Sequence, residues 1–423
     1  MKRKTIYLFL IGLALASCSK KEAFEGVRVD ERLYAQLAAY EAQLVGADHG
    51  WLGYLYPAGG GGYTFRFVFT AENRVTMYAA MNADYASSAK ESSYRLRATQ
   101  VPSLYFDTYS YLHELADPDP AIGGGPAGVG QQSDFEFAIL SATTDTLRLK
   151  GNLNDSELVL VRAKEGQGDD YIRHAYAYNR QLDQLNRFPH YHNRFSIAGQ
   201  HYNFTINTDM NTVSFYSGTD GFRGFHSAYA VKDNGIVLRT PFVDGDVVIS
   251  ELTDFEIDAE AHVATVNSAG TTATIVNEPD PLVVDKQAGR QMYIRPYNYT
   301  TNQGFTVNGQ KDALGLGSIP GFIGAQYVPR RYVDGYDGFT IYFDQGAAAY
   351  TAVLNTRIED DGRMIFHNYI GGQGLRPGGD HDATIGRTLG LLLEPQGYYV
   401  YQTGSTYFDL VSVADARVWI RFY

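Results

Sequence analysis

Paired histidines, clustered carboxylates and a lone cysteine are the residues of this chain whose types and spacing could do chemistry. His190-Tyr191-His192 sets two imidazoles at alternate positions. On an extended strand alternate side chains share a face, so both could reach one metal ion, with His201 as a third ligand. No carboxylate is fixed beside them by sequence, and histidines following Pro189 read equally as solvated polar residues. Asp380-His381-Asp382 follows Gly378-Gly379; the simpler reading has Asp380 or Asp382 capping a helix that starts near Ala383, where an acceptor meets free amides at the positive end of the dipole. Asp117-Pro118-Asp119-Pro120 offers two carboxylates for calcium but lacks the glycine and terminal glutamate of a calcium loop, so it reads as a solvated turn. The run Gly59-Gly60-Gly61-Gly62 joins strands with no following helix, which argues against a phosphate cradle. No nucleophile elbow, phosphate loop, H-E-x-x-H or dinucleotide fingerprint stands in a fitting context.

Cys18 is the most specific signal. It closes Leu15-Ala16-Ser17-Cys18, behind Lys2, Arg3 and Lys4 and an apolar stretch from Ile6 to Ala16. That order matches the segment cut and acylated by the lipoprotein signal peptidase, and it is shorter than the roughly 20 residues of a membrane span. The expectation is a signal peptide over 1–17 and a mature chain held in a bacterial outer membrane through the lipid on Cys18. With its single sulfur acylated, such a chain has no disulfide and no thiolate site. Loss of Lys2, Arg3 and Lys4 takes the formal charge from -12 to -15, which disfavours nucleic acid or an anionic membrane surface as partner.

The 33 tyrosines and 44 glycines favour pleated strands joined by tight turns. Exposed aromatic faces on such a scaffold can stack on sugar rings or grip extended peptides; Trp51, Tyr54, Tyr56, Tyr105 and Tyr109 are the candidates, although alternating aromatics pack cores in most strands. No cofactor is implied.

The elements that must position these residues follow from periodicity. Residues 18–48 read as a tether and a helix, with Asp30 as N-cap, Leu33, Leu37, Tyr40 and Leu44 on one face and Gly46 as the stop. From Trp51 the period becomes two, and residues 49–165 read as a first antiparallel barrel- or sandwich-like domain. The Gly/Pro-rich stretch from Asp117 to Gln132 reads as irregular. Residues 166–190 form a helical connector stopped by Pro189, and 191–423 a second β domain with a C-terminal helix over Ala383–Leu393 and closing strands. Within it, 277–335 carries many turn-formers and reads as mostly irregular. Tyr202-Asn203-Phe204-Thr205-Ile206 and Val213-Ser214-Phe215-Tyr216 parallel Tyr63-Thr64-Phe65-Arg66-Phe67 and Val75-Thr76-Met77-Tyr78; Ser227-Ala228-Tyr229 then Gly235-Ile236-Val237-Leu238 parallel Ser92-Ser93-Tyr94 then Ser103-Leu104-Tyr105-Phe106. Either one fold is duplicated, or alternating strands resemble each other by composition. The predicted class is mainly β, two tandem antiparallel barrel- or sandwich-like domains with a few helices.

The lipobox, Trp51-Leu52-Gly53-Tyr54 before a Gly-rich turn, Tyr94 leading into Leu104-Tyr105-Phe106-Asp107-Thr108-Tyr109 and Leu112-His113, and the ending Trp419-Ile420 together resemble the domain of unknown function 4302 family of Bacteroidetes lipoproteins. The resemblance spans most of the mature chain. It implies a surface or periplasm-facing lipoprotein, often associated with nutrient import, and it supplies no catalytic residues. Lys20 and Lys21 interrupt the acidic run that such surface lipoproteins often carry after the cysteine, so both sides of the outer membrane stay open. The resulting expectation is a non-catalytic accessory that binds a glycan or peptide ligand, or an outer-membrane transporter. The alternatives are a metal-assisted hydrolase using the histidines and a purely structural or adhesive surface protein.

Overall fold

Two-residue alternation gives a sheet one apolar face, and closing the sheet on itself hides that face and removes the strand edges together. The computed structural model shows this outcome twice. It describes residues 29–98, 101–125, 128–218, 221–295, 297–332, 334–343, 348–374 and 380–423; Cys18 and the expected signal peptide over 1–17 lie outside the described residues. Eight antiparallel strands, from Trp51–Tyr56 to Glu157–Arg162, close into an up-and-down barrel, and eight more, from His192–Ile197 to Thr271–Glu278, close into another. Phe65, Phe67, Phe69, Met77 and Phe106 fill the first; Phe195, Tyr202, Phe204, Phe215 and Ile249 fill the second.

The paralleled segments occupy the second, third, fourth and fifth strands of both barrels. Their hydrogen bonds match as well. Asn73 and Asn211 turn the chain at φ 58° and 49°, and their carbonyls accept from the amides of Tyr94 and Tyr229 at 3.0 and 2.8 Å. Ser92 Oγ accepts from the Thr108 amide at 3.2 Å and Ser227 Oγ from that of Thr240 at 3.0 Å, and each hydroxyl donates to the carbonyl of the next residue. A helix precedes each barrel and packs into its core: Val29–Val45, followed by Gly46, supplies Leu44, while Asp170–Leu182 and the 3-10 turn Asp183–Arg187 supply Leu182 and Leu185 before Pro189. Each half is thus a helix followed by a barrel, with matching turns and hydrogen bonds. The Asp30 cap falls on a side chain outside the described residues.

The expected second domain divides in two. Beyond Glu278 a nine-stranded antiparallel sheet builds its own core around Tyr299, Tyr327, Phe339, Phe366 and Tyr398, with Ile385 and Leu389 of the helix Asp380–Leu392 packed on it. The sheet curls until Thr300 and Tyr423 exchange backbone hydrogen bonds. The stretch 277–335 is more regular than expected, holding the helix Ala288–Ile294 and the strands Tyr299–Thr301, Thr306–Val307 and Phe322–Val328. The reason is positional: Pro279, Pro281, Pro320 and Pro329 fall between these elements, not within them. Likewise the stretch 117–132 contains a one-turn helix, Pro120–Gly123, because Asp119 caps it through the Ala121 amide at 2.9 Å. At the C-terminal helix Asp382 lies inside the first turn, so it is not the cap.

Candidate ligand-binding cleft

Burial corrects most of the aromatic candidates. Trp51 is fully buried in the first barrel, its Nε1 donating to the Leu44 carbonyl at 2.9 Å. Tyr54 and Tyr56 face the second barrel: the Tyr54 hydroxyl meets that of Tyr171 at 3.5 Å, and the Tyr56 hydroxyl donates to the Val237 carbonyl at 3.3 Å. These three rings are structural cement, since odd positions of that strand enter the core and even ones the barrel–barrel contact. Tyr105 stays on the outer wall under the Arg95 guanidinium at 5.2 Å, and Tyr109, 48% exposed, donates to Asp117 Oδ2 at 2.7 Å. Neither ring lines the cavities around the second barrel and the third sheet.

The histidines also part company. His192 is buried edge-on to Tyr401, ring centres 5.7 Å apart; burial first, then the charge of His190, holds its pKa down at about 3. His190 donates its amide to Asn277 Oδ1 at 3.0 Å and shares with His192 a small hollow bordered by Asp280 and Asp415. His201 lies opposite Ser196 on the neighbouring strand, four residues beyond His192 and hence about 13 Å along the sheet, where its Nδ1 meets Ser196 Oγ at 2.8 Å. Among the described residues no group of three or more His, Cys, Asp or Glu is placed to hold a metal. The geometry therefore gives no support to hydrolysis through these three imidazoles.

What the fold does assemble is a cleft of about 670 Å³ between the second barrel and the third sheet. The barrel contributes Tyr216, Phe222, Gly224 and His226, the connecting segment Asp285, Lys286, Gln287 and Gln291, and the sheet Gln402. Tyr216, Gly224 and His226 point outward by the same alternation that sends Phe215 and Phe225 toward the core. The Phe222 ring stacks on Tyr216 at 5.8 Å with 29° between planes, and the Tyr216 hydroxyl donates to the Gln402 carbonyl at 2.7 Å, tying barrel to sheet.

The polar groups are arranged around that aromatic wall. Asp285 is 9% exposed and its Oδ1 accepts from the amides of Gln287 and Ala288 at 2.8 and 3.1 Å, starting the short helix; burial pushes its pKa upward. That start sets Gln287 and Gln291 one turn apart, on the same side of the helix. His226 is pulled below the usual imidazole range by burial, so it is neutral at neutral pH, and its Nδ1 is buried without a hydrogen-bond partner. An unpaired buried polar atom carries a desolvation cost that a ligand could relieve. Amides, a neutral imidazole and an aromatic face suit a ligand with one flat apolar side and several hydroxyls or peptide groups. Among the described residues the lining holds no serine, threonine or cysteine for His226 to activate. No sequence motif marks these residues, because they come from three stretches joined only by the docking of sheet to barrel.

A family model described as a domain of unknown function, DUF4302, matches residues 21–255. The match covers the first helix and barrel and ends within Val247–Asp258, the sixth strand of the second barrel. No curated protein matches the chain.

Proposed function

The chain belongs to the DUF4302 family, and from that premise we propose that it is a lipid-anchored protein of a bacterial outer membrane that binds a glycan or peptide without transforming it, as an accessory to nutrient uptake. The cleft between second barrel and third sheet carries this reading: a cavity at a junction of two bodies, with one aromatic wall, several amides and an unpaired imidazole nitrogen. The sequence around Cys18 supports the anchor, and the acidic balance supports a partner other than nucleic acid.

Two measurements test the two halves. Isothermal titration of the protein against neutral oligosaccharides and peptides should give saturable binding that Phe222→Ala weakens about tenfold, the scale of one lost aromatic stacking contact; silence across both panels sinks the binding function. Cys18→Ala should abolish incorporation of radiolabelled palmitate and release the protein from the membrane fraction, and persistent labelling sinks the anchor.

A further inference from the structure

The two barrels share one topology but treat one of their ends differently. In the first barrel the chain from Phe106 to Glu136, joining the fifth and sixth strands, carries the helix Tyr111–Ala116, and Tyr111, Leu112 and Leu115 pack into the barrel core. In the second barrel the equivalent connection is Gly245-Asp246 alone. Its neighbours at that end, Ala198-Gly199 and Ala269-Gly270, are equally short. The fourth connection there, 218–222, includes residues outside the described ones; among the described residues, the end that a helix closes in one repeat is a cavity of about 730 Å³ in the other.

Alternation fixes what faces it. Gln200 continues the inward row of Tyr202 and Phe204, Arg223 that of Phe225, Asp244 that of Phe242, Ser268 that of Ala264 and Val266, and Thr271 that of Ala273. A polar ring thus stands at the end of the barrel's aromatic core, where Phe242 lies 5.0 Å from Tyr202 and 5.3 Å from Phe225. Asp244 is held by Arg223 Nη1 at 3.1 Å and by the Tyr202 hydroxyl at 3.1 Å. Ser268 is 3% exposed, yet its Oγ has no hydrogen-bond partner. A buried hydroxyl left unpaired in the wall of an open cup points to a missing ligand group.

We propose that the open mouth of the second barrel is a second binding site, separate from the cleft, and that it takes the end of a neutral saccharide. A planar acceptor beside a planar donor, Asp244 beside Arg223, can meet vicinal hydroxyls that each donate to the carboxylate and accept from the guanidinium. The amide of Gln200 and the hydroxyls of Ser268 and Thr271 serve the remaining hydroxyls, and the apolar side chains of Ile197, Val247 and Val248 meet the carbon face of the ring. With Asp246 also on the rim, two carboxylates face one guanidinium, which disfavours anionic sugars and phosphates. A cavity of about 730 Å³ at the barrel's end is on the scale of one such ligand. Arg223 lines the mouth while Gly224 and His226 of the same strand line the cleft, so single substitutions can separate the two sites.

The test is titration of the full chain with neutral methyl glycosides and disaccharides, and with glucuronic acid as the anionic control. Binding of a neutral sugar should weaken about tenfold or more in Asp244→Asn, the loss expected for one charge-assisted hydrogen bond. In Phe222→Ala, where the cleft is impaired, one saturable neutral-sugar site should remain, and adding Thr271→Trp, which fills the mouth from an exposed rim position, should abolish it. No saturable binding of any neutral sugar, or preference for glucuronic acid, overturns the proposal. Binding lost in Phe222→Ala and kept in Thr271→Trp overturns it too, while leaving the cleft as the site.

Discussion

Asp409 and Arg421 face each other on adjacent strands of the third sheet, and both are buried, with Nε and Nη2 each 2.8 Å from a carboxylate oxygen. Tyr191, at the entrance of the second barrel, donates its hydroxyl to the same carboxylate at 2.9 Å, so one ion pair fastens two bodies. Removing one partner of such a pair strands the other charge without water. Asp409→Ala is expected to cost about 3–5 kcal/mol in denaturant unfolding, and a loss below about 1 kcal/mol would show that solvent reaches Arg421. His192 makes a separate prediction about pH. Its folded pKa lies below the unfolded value, so the native state stays neutral while the unfolded chain takes up a proton below about pH 6.5. The stability it allows is complete above that pH and falls by up to about 1.4 kcal/mol per unit toward about pH 3. His192→Gln should flatten the fall in unfolding free energy between pH 6.5 and 4, and an unchanged slope would refute the assignment. Of the chemistry-bearing residues, the histidines were easy to see in the sequence but not to interpret. Strand parity says which face a side chain takes, not that the outer face at His192 lies under Tyr401 of a sheet 200 residues away.

At the scale of elements, most strands and helices were legible because their apolar period is local. The helix ending at Gly46, the connector ending before Pro189 and the closing strands all stand within a few residues of expectation. The plug helix Tyr111–Ala116 was not legible, since six residues carry too little periodicity to separate from a loop. Its packing gives it weight all the same. Leu112 is fully buried in the barrel core, so Leu112→Ala should destabilise the protein by about 2–5 kcal/mol in denaturant unfolding. A smaller loss would mean that the first barrel closes without its plug and that the difference between the two mouths is weaker than argued.

At the scale of the whole molecule, the run Gly59–Gly62 acquires a meaning unrelated to phosphate. A Cβ on Gly62 would lie 2.2 Å from the Tyr229 carbonyl oxygen of the second barrel, and one on Gly61 2.9 Å from that of Met210. Tyr407 of the third sheet stands 3.1 Å from the Cβ position of Gly60, so this loop is where all three bodies meet. Beside it Thr64 donates to the Val231 carbonyl at 2.6 Å, continuing the contact between barrels. Gly62→Ala should part the barrels there, seen as faster limited proteolysis between residues 163 and 190 with little loss of strand signal in circular dichroism; unchanged cleavage would show that the junction yields without opening. By itself the sequence determined the β class, the positions of most strands and the hint of an internal repeat, because each depends on neighbours within about ten residues. Only the tertiary structure decided which aromatic rings are buried, which barrel mouth is open and which distant residues line the cleft. Those outcomes depend on how closed barrels dock, and docking is set by surfaces assembled from segments far apart in the chain.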